Sequence, residues 1–167
     1  MTDAPKRVLV TGMGSQLGSL VAVELEKEPW VGELVGIDAD PPRRRLARSV
    51  FHRIESEAAD RVAAVVTDFD PHVLVHLAVW EPDARAHPKH AELFTRRAAE
   101  SVFPAARLGT SLEHVVLRSG LEVYGRGGSR PAVPDEKTPT APTSHYGRML
   151  VELERLAGDA FSTTQAD

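Results

Sequence analysis

A glycine-rich turn at residues 11–18 lies between an apolar strand pattern and a helical pattern near the start of the chain. The short, valine-rich run at 7–10 predicts the strand, and Leu17, Val21 and Leu25 recur at the spacing of one helix face. Glycines in such a turn let the backbone approach a pyrophosphate closely, while the helix N-terminus offers free N–H groups and a positive dipole end. The pattern therefore predicts a strand–turn–helix unit that binds a dinucleotide.

The choice between NAD and NADP depends on charged residues after the second predicted strand, residues 33–37. Asp38 stands at the end of that strand, 20 positions beyond Gly18. A carboxylate there accepts hydrogen bonds from ribose hydroxyls and repels a 2′-phosphate. The arginines at 43–45 compete with this interpretation, because they would accommodate that phosphate. We interpret the arginine run as a solvated loop, favour NAD, and keep NADP as the less favoured cofactor.

Strand and helix patterns alternate along the rest of the chain. Strands are predicted at 50–54, 72–79 and 113–118, and helices at 58–69, 92–108 and 144–158. Alternation of this kind, with right-handed crossovers, produces a parallel sheet with helices on both faces. The predicted fold class is therefore α/β, a doubly wound Rossmann-type sheet of about five strands in the order 3-2-1-4-5.

The chain has 167 residues, no cysteine and a formal net charge of −4. This length fits one domain, predicted over residues 1–160, with a tail over 161–167. The absence of cysteine excludes disulfides, thiol chemistry and Cys-ligated zinc. The charge balance provides neither a basic field for nucleic acid nor a polybasic membrane signal. We expect no nucleic-acid partner, no membrane partner and a cytoplasmic location.

The fourth predicted strand carries His72 and His76 on one face. No carboxylates or cysteines accompany them at ligand spacing, so we expect no metal site and a hydrogen-bonded structural role for His76. The strand finishes with Leu77, Ala78 and Val79, at the point where a cofactor crevice is expected. The small side chain of Ala78 would let a ligand approach closely.

Two further segments complete a family pattern. Val-Tyr-Gly at 123–125 follows the fifth strand, and Tyr-Gly at 146–147 begins the last helix. Together with the Thr-Gly turn, Asp38 and the His-Leu-Ala of the fourth strand, they resemble the extended short-chain dehydrogenase/reductase family, in its NAD-dependent epimerase/dehydratase group. The segment 125–142, with its Pro-Asp-Glu, also resembles the linker of that family.

The resemblance implies a set of site residues and partners. Tyr146 is the implied acid/base and Ser119 the implied hydroxyl near it. The resemblance also implies NAD as cofactor, a nucleotide sugar or other small molecule as substrate, and a homodimer formed through the helices at 92–108 and 144–158. The exposed strand at 113–118 also favours self-association. The cofactor-binding residues expected from the turn, the strand ends and the resemblance are Gly12, Gly14, Ser15, Gln16, Leu17, Gly18, Asp38, Glu55, Leu77, Ala78 and Val79.

The sequence departs from the family pattern at one position of the glycine turn and at three kinds of residue that support catalysis. The middle glycine of the family turn is Ser15, with Gly14 one place earlier as a substitute. The family's Ser/Thr position holds Gly120, so that Ser119 lies one place away. The family's Lys, which lowers the pKa of the tyrosine, is replaced by Leu150, and the chain contains no asparagine. We therefore expect little or no turnover from this chain alone.

Several alternatives remain at this stage. Arg118 or Arg126 would have to replace the missing Lys, because Arg148 points away from the Tyr146 face of the helix. The chain is an epimerase/dehydratase, or a non-catalytic dinucleotide-binding regulatory or interaction module. The family continues into a substrate lobe, so the sequence corresponds to a fragment of a longer protein or to a degenerate short one.

Overall fold

The computed structural model describes residues 4–55, 57–81, 87–125 and 133–162. Five parallel strands form one sheet in the order β3-β2-β1-β4-β5, which confirms the predicted topology. In chain order the strands and α-helices are β1 (Lys6–Thr11), α1 (Gln16–Leu25), β2 (Val31–Asp38), β3 (Val50–Arg53), α2 (Ala59–Phe69), β4 (Val73–His76), α3 (Pro88–Leu108), β5 (His114–Leu117) and α4 (His145–Phe161).

The two faces of the sheet bury different sets of side chains. Leu9 and Leu74, on the neighbouring strands β1 and β4, pack with α2, α3 and α4 in the larger core. Val8 and Val10 point to the other face and pack with Ala22 of α1. Burial on both faces explains the continuous apolar runs at 8–10 in β1 and at 73–75 in β4.

The far edge of the sheet is less well covered. β5 pairs with β4 only, and Val116, opposite Val75, is 51% exposed. Within the described residues no strand lies on the outer side of β5. The predicted unpartnered edge is therefore present.

Helix boundaries differ from the sequence prediction for identifiable reasons. α3 begins at Pro88 instead of residue 92, because proline is suited to the first turn, where its missing N–H costs no helical hydrogen bond. Pro104 lies on the exposed side, and the helix continues to Leu108. α4 includes Phe161, which the prediction assigned to the tail, because its ring packs edge-on against Phe103 at 5.3 Å. Residues 163–167 of the predicted tail lie outside the described residues.

β4 ends earlier than predicted. The apolar pattern runs over 72–79, but the strand covers Val73–His76. Leu77 still donates its N–H to Thr11 O at 3.0 Å, and the chain then turns tightly, with Val79 N donating to Leu77 O at 2.7 Å. This early departure from the sheet opens a crevice beside β1.

A short 3₁₀ helix, Leu121–Tyr124, follows β5 and was not predicted. It packs against the start of α4 so closely that a Cβ on Gly147 would lie 2.4 Å from Glu122 O. The glycine after Tyr146 is thus required by contact between the two elements.

Candidate functional site

A cavity of about 270 Å³ opens at the carboxyl ends of β1 and β4. We call it the cofactor cavity. Nine of the eleven residues predicted to bind cofactor line it: Gly12, Gly14, Ser15, Gln16, Leu17, Asp38, Leu77, Ala78 and Val79. The remaining lining residues are Asp40, Arg43, Trp80, Glu81 and Arg118. Ligands of open α/β sheets bind in crevices at this location.

The glycines of the turn are fixed by close backbone contacts. Gly12 has a φ of +74°, and a Cβ there would lie 2.6 Å from Ala78 N. A Cβ on Gly14 would lie 2.0 Å from Asp40 O. Only glycine satisfies both positions. Gly14 therefore supplies the small residue that the family pattern places one position later.

Ser15 has a role of its own at the start of α1. It is the N-cap residue, and its hydroxyl accepts a hydrogen bond from Gly18 N at 2.9 Å. The first two N–H groups of α1, those of Gln16 and Leu17, have no acceptor among the described residues. Both residues line the cofactor cavity, so the positive end of α1 presents two free donors to it.

Asp38 connects the turn to the second strand. Its carboxylate accepts from Gly14 N at 2.9 Å and from Asp40 N at 3.2 Å. Burial raises the pKa of Asp38, although these hydrogen bonds oppose the rise. Each carboxylate oxygen has a second lone pair, which leaves Asp38 able to accept from a ribose hydroxyl.

A second group of residues, which we call the tyrosine corner, consists of residues 118–124 and the face of α4 that carries Tyr146, Leu150 and Glu154. Tyr146 lies there, half-buried. Burial raises the pKa of Tyr146, Arg118 acts in the opposite direction, and the charges of Glu81 and Glu122 raise the pKa further. Arg118 and Glu81 also line the cofactor cavity, so the two regions adjoin.

Residues 8–164 match the profile of the NAD-dependent epimerase/dehydratase family. The chain belongs to this family. Among its curated relatives, an uncharacterized protein of Mycobacterium tuberculosis is 31% identical over 127 residues, covering 72% of this chain and 33% of that protein. Methionine adenosyltransferase 2 subunit beta of Bos taurus is 29% identical over 153 residues, covering 90% and 42%. The chain therefore spans between a third and about two fifths of these relatives.

Solved structures share the fold. The Bordetella bronchiseptica enzyme WbmG, crystallised with NAD, superposes with a TM-score of 0.77 at 22% identity, over 95% of this chain and 51% of that one. UDP-glucose 4-epimerase of Thermotoga maritima, crystallised with UDP-glucose, also gives 0.77, at 17% identity and with 92% and 52% covered. The NAD-dependent epimerase/dehydratase chain described here thus corresponds to about half of each neighbour.

The tyrosine corner of this epimerase/dehydratase chain departs from the family pattern in structure as well as in sequence. The Ser119 hydroxyl donates to Glu154, which lies two turns along α4 from Tyr146. At Gly120, the space that a Cβ would enter is bounded by Glu122 Oε2 at 2.6 Å and Leu150 Cδ1 at 3.2 Å. Leu150 is 0% exposed and belongs to the larger core.

Two predicted cofactor residues do not line the cavity. Gly18 packs beneath it, since a Cβ there would lie 2.0 Å from Gly12 O, so its contribution is to the shape of the turn. Glu55 is exposed after β3, and its carbonyl accepts from Ala58 N at 3.0 Å. Contact of Glu55 with an adenine remains a prediction.

Five cavity residues were not assigned to it from the sequence. Asp40 and Arg43 follow β2, Trp80 and Glu81 follow β4, and Arg118 follows β5. Their shared signal is position, because all lie beyond the carboxyl end of a parallel strand. Of the arginine run at 43–45, only Arg43 lines the cavity.

His76 differs in part from its prediction. Its Nδ1 lies 2.8 Å from Thr11 Oγ1, but its buried Nε2 has no partner among the described residues. Burial lowers the pKa of His76 to about 4, so the ring is neutral at pH 7. Its ring packs edge-on against Phe103 at 4.9 Å, which fits a neutral ring in the core. The prediction of a fully hydrogen-bonded histidine was therefore wrong at one nitrogen.

The described residues contain neither a metal cluster nor a membrane-spanning helix. Within the described ranges, no group of three or more His, Asp or Glu side chains is arranged to hold a metal ion. None of the helices in those ranges combines the length and apolar character needed to cross a membrane.

Proposed function

We propose that this chain binds NAD in the cofactor cavity, as the dinucleotide-binding part of an epimerase/dehydratase-like protein. The observation that carries the proposal is the assembly of nine predicted residues around one cavity. The family description names NAD, and neighbouring structures were crystallised with it. The donors and acceptors present suit a dinucleotide, because two free N–H groups at a helix N-terminus and one carboxylate match a pyrophosphate and a ribose.

The residues of the chain have distinct roles in this proposal. The N–H groups of Gln16 and Leu17 hold the pyrophosphate, and Asp38 orients the adenosine ribose. Ala78, which has no side chain beyond its Cβ, leaves room for the cofactor beside Gly12. When bound, NAD supplies a hydride acceptor for a sugar carbon. Tyr146 is the group of this chain that would hold or release a proton there.

For the substrate we propose a nucleotide sugar, because structural neighbours were crystallised with UDP or UDP-glucose. Turnover by this chain alone is expected to be small or absent. Burial raises the pKa of Tyr146, which disfavours the tyrosinate needed for a base. Position 150 carries no cation, and the Ser119 hydroxyl is bonded to Glu154.

Calorimetric titration with NAD and with NADP tests the binding proposal. We expect saturable binding of NAD with one site per chain, and weaker binding of NADP because Asp38 and Asp40 both line the cavity. Absence of binding to either dinucleotide would exclude this function. Equal or tighter binding of NADP would show that Arg43 outweighs the two carboxylates.

A second candidate is a non-catalytic subunit or regulatory module that keeps the cofactor. It is favoured by a relative named as a subunit of methionine adenosyltransferase, with 90% of this chain covered by the match. Turnover with a panel of nucleotide sugars separates the candidates. Activity that is abolished by Tyr146→Phe supports the enzyme, and NAD binding without turnover supports the subunit.

We further propose a cytoplasmic homodimer that forms through α3 and α4. A groove of about 280 Å³ runs between these helices and exposes charged groups of both signs around Met149 and Leu153. Its polar rim includes Glu92, Arg96 and Arg148. Light scattering over a concentration series tests the assembly, and Arg148→Glu is expected to weaken it. An 18.2 kDa monomer at all concentrations would contradict the dimer.

A further inference from the structure

The tyrosine corner contains a cation that the family pattern does not place there. In that pattern a Lys four residues after the tyrosine supplies the positive charge, but here the position holds the buried Leu150. Without any cation, Tyr146 would face only burial and two carboxylates, all of which oppose its ionisation. A cation that favours the tyrosinate form of Tyr146 must therefore come from a position other than 150.

The lysines are placed elsewhere. Lys6 pairs with Glu113 at 2.7 Å, at the end of β1 opposite the cofactor cavity, and Lys27 pairs with Glu24 on α1. Lys89 is exposed at the start of α3. The chain has four lysines, and the fourth, Lys137, has its backbone N–H bonded to Asp135 in the loop before α4.

Arg148 is closest to Tyr146 in sequence but lies on a different surface. It is exposed and lines the groove between α3 and α4, as the two-residue spacing on a helix predicts. Arg126, the other arginine considered from sequence, lies outside the described residues. Among the described residues, the arginine that belongs to the tyrosine corner is Arg118.

Arg118 is held in place at the end of β5. Its N–H donates to His76 O at 3.0 Å, which continues the ladder with β4. Its guanidinium donates to Val79 O at 3.3 Å and pairs with Glu81, and its side chain is only 18% exposed. These two partners fix the position of the guanidinium, and so of its positive charge, beyond the end of β5.

The charge of Arg118 lies where the cofactor cavity and the tyrosine corner meet. Arg118 lines the cofactor cavity, as does its partner Glu81. The segment that follows Arg118 packs on the face of α4 that carries Tyr146, because the Ser119 hydroxyl donates to Glu154 and Gly120 lies beside Leu150. In this arrangement the charges that act on Tyr146 come from Arg118, which follows β5, from Glu81 after β4 and from Glu122 of the 3₁₀ helix. Arg118 is the positive member of this set.

We propose that Arg118 is the positioning cation of this site, serving Tyr146 from the end of β5 in place of a Lys at position 150 of α4. The role of Tyr146 as acid/base rests on the proposed function, whereas the electrostatic coupling of the two residues does not. Arg118 stabilises the tyrosinate, and Glu81 both holds the guanidinium and reduces its effect. The sequence alone leaves the choice between Arg118 and Arg126 open, because positions 118 and 150 lie 32 residues apart.

A tyrosinate absorbance titration of the cofactor-free chain tests the proposal. The chain has two tyrosines, so a Tyr124→Phe background leaves Tyr146 as the single titrating phenol. In that background Arg118→Met is expected to raise the pKa of Tyr146, Arg118→Lys to restore most of the original value, and Glu81→Gln to lower it. Arg148→Met is the matched control, because it removes an arginine two residues from Tyr146, and it is expected to leave the pKa unchanged.

The outcomes are distinguishable. Equal effects of Arg118→Met and Arg148→Met, or no effect of either, would overturn the proposal. If circular dichroism shows that Arg118→Met is unfolded, the other two variants test the proposal. It predicts little change in the pKa of Tyr146 for Arg118→Lys and a lower pKa of Tyr146 for Glu81→Gln, and any other result would contradict it. A separate NAD titration of the unmodified chain tests the proposed function. Failure of NAD binding with the expected order of pKa values would refute that function and leave the coupling established.

Discussion

At the end of β1, Gly12 and Gly14 approach backbone atoms so closely that no other residue would fit. In the tyrosine corner, the positions at which the family has a hydroxyl and a lysine hold Gly120 and the buried Leu150. The cofactor cavity thus agrees with the family pattern in its backbone, whereas the tyrosine corner departs from it in its side chains. Arg118 belongs to both regions and pairs with Glu81 of the cofactor cavity, so the difference arises within one continuous site.

This difference shows that binding and chemistry make separate demands on the fold. A dinucleotide is held largely by backbone N–H groups and a helix end, which follow from the path of the chain. Proton transfer needs particular side chains with suitable pKa values. A chain can therefore keep the backbone features that binding needs while the side chains that proton transfer needs depart from the family pattern, as they do at Gly120 and Leu150.

The largest expected effect tests whether the tyrosine corner is part of the core. Leu150→Lys should lower the free energy of unfolding by about 3–5 kcal/mol, because it places an unpaired ammonium in the larger core. Leu150→Met, the matched control, should cost less than about 1.5 kcal/mol. Urea unfolding measures both. A Lys variant as stable as the Met variant would indicate that position 150 reaches the cofactor cavity after all.

The next effect tests the backbone requirement at the cofactor cavity. Gly12→Ala should weaken NAD binding by roughly tenfold to a hundredfold, because strain at a positive φ typically costs about 1–3 kcal/mol. Gly158→Ala provides the control, since a Cβ on Gly158 has no neighbour within 4 Å. Calorimetry on both variants checks this, and similar affinities for the two would contradict the assigned geometry.

Cofactor discrimination should change by a smaller amount. Asp38→Asn keeps an acceptor for Gly14 N but removes the negative charge, so the ratio of NADP to NAD affinity should rise about tenfold, equivalent to about 1.4 kcal/mol. Asp40→Asn is the comparison variant. It should change the ratio less, because Asp40 is exposed and its charge is better screened. An unchanged ratio for Asp38→Asn would show that Asp38 does not face the ribose.

The smallest effect concerns the loop that carries the arginine run. Burial opposes ionisation of Glu26, but hydrogen bonds from Ser49 and from the N–H groups of Ala47 and Arg48 outweigh it and lower its pKa to about 2. A lowered folded-state pKa stabilises the fold above the ordinary value of 4.5, and this stabilisation is lost as the pH falls from 4.5 toward 2. Glu26→Gln should therefore cost about 1 kcal/mol at pH 7.

Urea unfolding of this variant and of the unmodified chain over that pH interval checks the assignment. The difference in stability between the two proteins should shrink as Glu26 becomes protonated. Glu24→Gln is the control in the same helix, because the partner of Glu24 among the described residues is the exposed Lys27. A constant difference across the interval would show that the loop contact does not depend on the charge of Glu26.

The sequence predicted one region better than the other for a physical reason. Sheet order, the glycine turn and Asp38 follow from local sequence patterns, because a parallel sheet brings the carboxyl ends of its strands to one edge. The burial of Leu150, the bond between Ser119 and Glu154, and the electrostatic effect of Arg118 on Tyr146 depend on how α4 packs against the segment after β5. Contacts between segments that are distant in sequence leave no periodic signal.

A crystal structure of the chain with NAD tests the central claim most directly. We expect the pyrophosphate against the N–H groups of Gln16 and Leu17, the adenosine ribose at Asp38, and the rest of the cofactor directed toward Arg118 and the tyrosine corner. The claim would be contradicted if the cofactor cavity stayed empty at saturating NAD, or if the dinucleotide bound instead in the groove between α3 and α4.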